Sequence, residues 1–289
     1  MTDRLESKRW TVADLAMLVL LVLVTIWTGR EALLDILNRG FNGTDSTYVL
    51  FAPFVVAALV WYRRHLIEQV RFQPDLLGSL VVLAGILISS YGFDRDIIIL
   101  WQGGVLISLI GCVFTMAGFR ILKLFAPAVF AVFLFLPIPG TIRDNVAIPL
   151  QSIATGLTAL VLEFFSVDAI RHGNLIVING EQVAVGEACN GMPMIMGVGM
   201  AVYAIVFALR LSPRKRAALL IASPVIALFC NVLRLVPTSL AFGLSDPLTA
   251  SYVYAVGGWL MIPAAIVMLF AFLTFLFAEE TFVDRITVE

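Results

Sequence analysis

Apolar runs of about twenty residues recur along most of this chain, and they limit its fold more than any other feature. At about 1.5 Å of rise per helical residue, such a run matches the ~30 Å hydrocarbon core of a bilayer. No water is present at that depth, so each spanning segment must satisfy its own backbone polar groups. The runs are continuous rather than alternating, which selects helices over barrel strands. Candidate spans cover residues 12–29, 46–62, 75–92, 97–118, 121–138, 189–211, 215–241 and 252–277, and a further apolar helix covers 145–165. The chain is 61% hydrophobic and 13% charged, with a mean hydropathy of +0.99. A soluble domain is nearer half apolar and a quarter charged. The expected fold class is an α-helical integral membrane protein of about eight transmembrane helices. No linker, low-complexity segment or internal repeat interrupts the chain, so residues 1–289 are expected to form a single polytopic membrane domain.

The flanking charges orient these spans, because cytoplasmic loops carry the excess of Lys and Arg. Arg4, Lys8 and Arg9 place the N-terminus in the cytoplasm. Arg63-Arg64-His65 and Arg71, then Arg120 and Lys123, mark later cytoplasmic turns. Arg210, Arg214, Lys215 and Arg216, around Ser212-Pro213, make the strongest one. The C-terminus is then cytoplasmic as well. A parity constraint follows. The fifth span exits at Pro137-Ile138-Pro139-Gly140, and the span that starts at Cys189 must run inward to the Arg210–Arg216 turn. Segment 140–188 therefore starts and ends outside, and 145–165 reads as an interfacial or re-entrant helix with Pro149 near its start. Residues 173–186 read as a short β-hairpin on the outer side, two β-branched runs around Asn179-Gly180.

Several function classes lose support. A net charge of −1 gives nucleic acid no electrostatic footing. Cys112, Cys189 and Cys230 lie far apart, with no CxxC or Cys/His metal spacing, and His65 and His172 are the two histidines. No metal and no cofactor is expected. A transporter would show paired inverted repeats and polar groups at the midplane. Neither is evident, and the notable polar groups gather at one face.

Those groups are Glu187-Ala188-Cys189-Asn190-Gly191, where a polar segment enters an apolar helix, and Asn231-Val232-Leu233-Arg234 in the next. From Arg216 to Arg234 the helix rises roughly 27 Å, and from Cys189 to Arg210 roughly 31 Å. Both Cys189 and Arg234 therefore sit near the outer end of their helices, at a depth shared by Tyr252 and Tyr254 at the start of the last span. Asn231 and Arg234 are i and i+3, on one helical face. Ionisable groups at membrane depth are costly and usually functional. An Arg near a Cys favours the thiolate, the nucleophilic form, and so does a helix N-terminus.

The ordered set of motifs resembles the exosortase/archaeosortase family of membrane-embedded Cys proteases and transpeptidases. The resemblance runs from Leu136-Pro137-Ile138-Pro139 and Pro149-Leu150-Gln151 through His172-Gly173-Asn174 and Glu187–Gly191. It continues to Asn231–Arg234 and Gly257-Gly258-Trp259. The family-like core covers about 120–277, and the wording around Cys189 and Arg234 is most like the branch of planctomycete-type bacteria. The resemblance implies a protein of the bacterial inner membrane. Its site would face outward and process exported proteins that carry a C-terminal sorting signal: a short motif, an apolar helix and a basic tail. It makes Cys189 the nucleophile and Arg234 the group that holds the thiolate or the oxyanion. Glu187, Asn190, Gly191 and Asn231 support them. Two positions differ from the family pattern. Tyr254 stands where the family has its His, and Pro193 stands where an Arg is common. A phenol is a poor proton acceptor at neutral pH, so His172 is the candidate replacement on the outer side. The alternative implied by these departures is a catalytically impaired member, acting as a sorting-signal binder or export-complex scaffold in the bilayer.

Overall fold

A computed structural model of the protein describes residues 11–43, 46–69, 74–184, 191–209 and 211–286. Glu187, Cys189 and Asn190 lie outside the described residues. The chain divides into two compact units, Met1–Pro139 and Gly140–Glu289.

The first unit begins with α1 (Val12–Thr28), whose start is set by a capping box. Asp14 N–H donates to Thr11 Oγ1, and Thr11 N–H donates back to Asp14 Oδ2 at 2.9 Å. No residue of α1 is buried. Leu15, Leu20, Leu23 and Trp27 are exposed, the surface that a lipid-facing helix presents. At Gly29 the chain bends by 70° into α2 (Arg30–Asn42). The Val105 side chain occupies the space that a side chain at residue 29 would need. A 3-10 turn, Thr47–Phe51, leads into α3 (Ala52–Tyr62).

The centre of this unit is the antiparallel pair α4 (Leu76–Asp94) and α5 (Ile98–Leu124). Gly78, Gly85 and Gly92 recur every seven residues on α4 and are its buried residues. A Cβ at Gly78 would meet the backbone of Thr115, one at Gly85 would meet Ser108 and Gly104, and one at Gly92 would meet Trp101. Gly104 and Gly111 repeat the arrangement from the α5 side against Ser89 and Val82. In a bilayer, small residues are what let two helices approach closely enough to gain dispersion and backbone contact. Ser108 Oγ donates to Gly104 O at 3.0 Å within this seam. α5 breaks at Gly118, whose φ of 68° only glycine adopts without strain. α6 (Ala126–Val132) follows.

In the second unit, α7 (Gly140–Phe164) leads to a three-stranded antiparallel sheet of order β1 (Ala169–His172), β2 (Leu175–Ile178), β3 (Glu181–Ala184). β2 and β3 pair across Asn179 (φ 52°) and Gly180 (φ 83°), the positive values that a type I′ turn needs at both central residues. β1 is a strand ahead of that pair, outside segment 173–186. Arg171 ties it to α7, donating from Nη2 to Ser152 Oγ at 2.7 Å and from Nε to Gly173 O at 2.8 Å. Ile176 and Ile178 are fully buried, with Ala154 and Leu162 of α7 and Leu235 of the second helix after the sheet. Three helices complete the unit: α8 (Met192–Ala208), α9 (Pro213–Leu244) and α10 (Pro247–Ile286). Their shared core includes Val202, Val206, Leu219, Ala227, Cys230 and Leu269.

The spans differ from expectation in length. Among the described residues, five helices are long and apolar enough to cross a membrane: α4, α5, α7, α9 and α10. The count is six if the bent pair α1–α2 is one broken span. Three expected spans are shorter apolar helices, Thr47–Tyr62, Ala126–Phe135 and Met192–Ala208. The cause is apolar residues in turns: Leu136 and Ile138 extend the run at 121–138 although Pro137 and Pro139 cannot continue a helix. Segment 145–165, expected to be an interfacial or re-entrant helix, belongs to one helix, α7, whose Ile142–Phe164 stretch is by length and composition one of the five candidate spans, with Pro149 inside it. Proline is tolerated in spanning helices because neighbours and side chains satisfy the freed backbone.

Candidate functional site

Three helices of the second unit bring the described candidates together. On α9, Asn231, Arg234 and Thr238 stand at i, i+3 and i+7, one face of the helix. Asn231 and Thr238 are buried, at 2% and 5% exposure. Thr238 Oγ1 donates to Arg234 O at 2.8 Å, a back-bond within the helix that keeps this hydroxyl satisfied.

Arg234 faces α10. Its guanidinium carbon lies 4.6 Å from the centre of the Tyr254 ring, within cation–π range. One turn further, Gly257 leaves room for the Arg234 stem, since a Cβ there would lie 3.5 Å from Arg234 Cγ. Tyr254 itself packs against the cluster formed by Leu162, Ile176, Ile178 and Leu235. Tyr254 is thus partly buried against the core and also meets the cation. Arg234 Nε is buried and makes no hydrogen bond among the described residues. A buried donor without a partner costs its desolvation, more so on a charged group. The π face offsets part of that cost and supplies no acceptor for Nε.

The third element is the start of α8. Gly191 is its N-cap, at φ 81°, and is buried. A Cβ on Gly191 would lie 3.2 Å from Asn231 Nδ2. The residue just after Asn190 therefore touches the face that carries Arg234. Pro193 fits the first turn of α8, where a missing N–H costs nothing.

The lengths of the arms explain this convergence. Gly191 stands seventeen residues before the end of α8, and Asn231 stands eighteen after the start of α9. Two antiparallel helices with equal arms bring those residues level. Arg234 precedes the end of α9 by ten residues, roughly 15 Å, and Tyr254 follows the start of α10 by seven, roughly 10 Å. Asp246 caps the turn between them, its carboxylate accepting from Leu248 N–H at 3.1 Å, Thr249 N–H at 3.0 Å and Thr249 Oγ1 at 2.7 Å. These bonds hold its pKa below the usual carboxylate range.

The structure gathers Gly191, Asn231, Arg234 and Tyr254. His172 is on β1, exposed and opposite Leu175, and is not part of the Arg234–Tyr254 pair. Tyr252 is 70% exposed. Thr238 and Gly257 were not among the candidate site residues, although Gly257 belongs to the Gly257-Gly258-Trp259 motif; they lie one turn beyond Arg234 and one turn beyond Tyr254.

No curated protein and no solved structure matches the chain. A family model described as transmembrane exosortase matches residues 41–271. The match begins well before residue 120, so it takes in most of the first unit as well as the whole Gly191–Asn231–Arg234–Tyr254 cluster. This multi-pass membrane protein belongs to the transmembrane exosortase family.

Proposed function

We propose that this exosortase cleaves or transfers exported proteins at a C-terminal sorting signal, with Cys189 as nucleophile. The observation that carries the reading is the contact between Gly191 and Asn231 on the face of α9 that bears Arg234. Cys189 precedes Gly191 by two residues, a reach of at most about 7 Å. The Cys189 thiolate attacks the scissile carbonyl carbon and forms a C–S bond, while the C=O electron pair moves onto oxygen. Arg234 holds that oxyanion. Collapse breaks the C–N bond, the amine leaves with a proton, and a thioester remains. Water or an acceptor amine then attacks the thioester and releases the thiolate. Glu187 and Asn190 are supporting residues in this reading, and His172 is the candidate proton carrier.

The positive turn at Arg214–Arg216 puts the start of α9 on the cytoplasmic side. Arg234 is then roughly 27 Å deeper, near the outer face of a ~30 Å core. That depth supports an outward site in the inner membrane with cytoplasmic termini. The branch assignment rests on the wording around Cys189.

One observation favours a second reading. Tyr254, in the position of the family's His, turns its ring face to Arg234, a contact that moves no proton. A member that binds sorting signals without cleaving them fits that arrangement.

The test is cleavage of a co-expressed reporter that ends in an apolar helix and a basic tail. Cleavage by the parent and none by Cys189→Ala supports the enzyme. Co-purification of intact reporter with the parent, without cleavage, supports the binder. Cleavage that survives Cys189→Ala overturns the assignment of the nucleophile.

A further inference from the structure

The first unit holds an apolar cavity of about 820 Å³ among α1, α3, α5 and α6. Its walls include Leu15, Val22, Val60, Val113 and Val129, and among the described residues that line it Thr11 alone is polar. Along α1 it extends from Thr11 to Ile26, fifteen residues or roughly 22 Å.

The two ends differ in charge. α1 and α5 run antiparallel: Thr25 Oγ1 lies 3.2 Å from Cys112 Sγ, and Gly29 meets Val105. Thr11 is therefore level with the end of α5. There Arg63 Nη1 donates to Leu124 O at 2.7 Å. Val56, Val60 and Arg63 follow one stripe of α3, so the cation ends that wall of the groove. Arg64, Arg120 and Lys123 are exposed around the same end. Asp14 and Asp75 are both engaged in caps: Asp14 accepts from Thr11, and Asp75 accepts from Leu77 N–H.

We propose that this groove binds an anionic glycerophospholipid, with an acyl chain along α1 and the phosphate at the cationic mouth. Charge complementarity selects the headgroup. It also argues against the apolar helix of a sorting signal, whose basic tail the mouth would repel. The site lies wholly in the first unit and does not depend on the reading of Cys189.

The experiment uses the full chain, purified in neutral detergent and stripped of lipid. Thermal unfolding is followed with phosphatidylglycerol, phosphatidylethanolamine, phosphatidylcholine or inorganic phosphate, and retained lipid is counted by native mass spectrometry. The expected result is a rise in Tm and retention with phosphatidylglycerol alone. Neutralising Arg64→Gln and Lys123→Gln should weaken retention about fivefold per cation removed. Val113→Trp and Val129→Trp fill the groove and should abolish it. Equal response to phosphatidylcholine, a Tm rise with inorganic phosphate alone, unchanged retention in the neutralised chain or in a folded Trp variant, or a bound apolar peptide in place of lipid each overturns the proposal. If the Trp variants do not fold, the surface substitutions decide it.

Discussion

The guanidinium carbon of Arg234 stands 4.6 Å from the centre of the Tyr254 ring, and the buried Nε of the same Arg has no hydrogen-bond partner. Among the described residues the ring supplies a favourable contact for this cation, through its face and not its hydroxyl. Tyr254→Phe should keep the stack and leave thermal stability within about 0.5 kcal/mol. Tyr254→Leu should cost about 1–2 kcal/mol, the scale of a partly desolvated cation–π pair. Unfolding midpoints of the two variants in one detergent check this. Equal losses would place the worth of Tyr254 in its hydroxyl.

Arg234 itself should be intolerant of Lys. A guanidinium is planar and stacks on a ring, whereas an ammonium is a compact, strongly hydrated point. If Arg234 holds the oxyanion, Arg234→Lys and Arg234→Ala should both lower reporter cleavage, the Ala variant by about 10²–10³-fold. Alkylation of Cys189 at neutral pH should slow with Arg234→Ala if the same cation favours the thiolate. Unchanged alkylation with lost cleavage would confine the role of Arg234 to the oxyanion.

That Gly191 and Asn231 lie level was legible in the sequence because it is a matter of counting. The Arg214–Arg216 turn sets the start of two antiparallel arms, and their equal lengths bring Gly191 level with Asn231. The Arg234–Tyr254 stack was legible only as shared depth, since spacing does not say which helical faces meet. Spans were read less well. Apolar residues in the turn at Leu136–Pro139 made a short helix look like a long one. At 145–165 the parity of the flanking charges gave an interfacial or re-entrant helix, where the structure has one continuous helix of crossing length. The sharp bend lies elsewhere, at Gly29, where Val105 fills the space beside the backbone. The seven-residue glycine repeat on α4 was present in the sequence too, but its meaning depends on which helix it packs against.

That repeat supports a strong expectation. A Cβ at Gly85 would overlap Ser108 and Gly104 of α5, and backbone atoms cannot step aside as a flexible side chain can. Gly85→Ala should cost about 1–3 kcal/mol, the usual scale of overpacking, and Gly85→Leu should abolish a monodisperse product. Size-exclusion profiles and unfolding midpoints measure both. A Gly85→Leu protein with parental stability would contradict the close α4–α5 seam.

Gly191 tests the start of α8 in the same way, for a different reason. Its φ of 81° is left-handed, and a Cβ would lie 3.2 Å from Asn231 Nδ2. Gly191→Ala should cost about 1–2 kcal/mol from backbone conformation alone. The control is Gly197→Ala in the same helix, where nothing lies within 4 Å of a Cβ. That change should be neutral or stabilise by about 0.5–1 kcal/mol. Similar effects of the two changes would mean that residue 191 is not held in the left-handed region.

The turn between α9 and α10 should carry an acid-sensitive term. Asp246 is exposed, and its bonds to Leu248 and Thr249 lower its pKa. A carboxylate whose folded pKa is depressed binds fewer protons folded than unfolded below neutrality. Its contribution is therefore fully present above the unfolded value near 4 and is lost as pH falls through the folded value. Asp246→Asn keeps an acceptor for the cap but cannot titrate. Its midpoint should lie below the parent's at pH 7 and converge on it as pH falls through the folded value. Parallel pH profiles for parent and variant would show that this cap is not coupled to the stability of the α9–α10 hairpin, and so not to the depth at which Arg234 meets Tyr254.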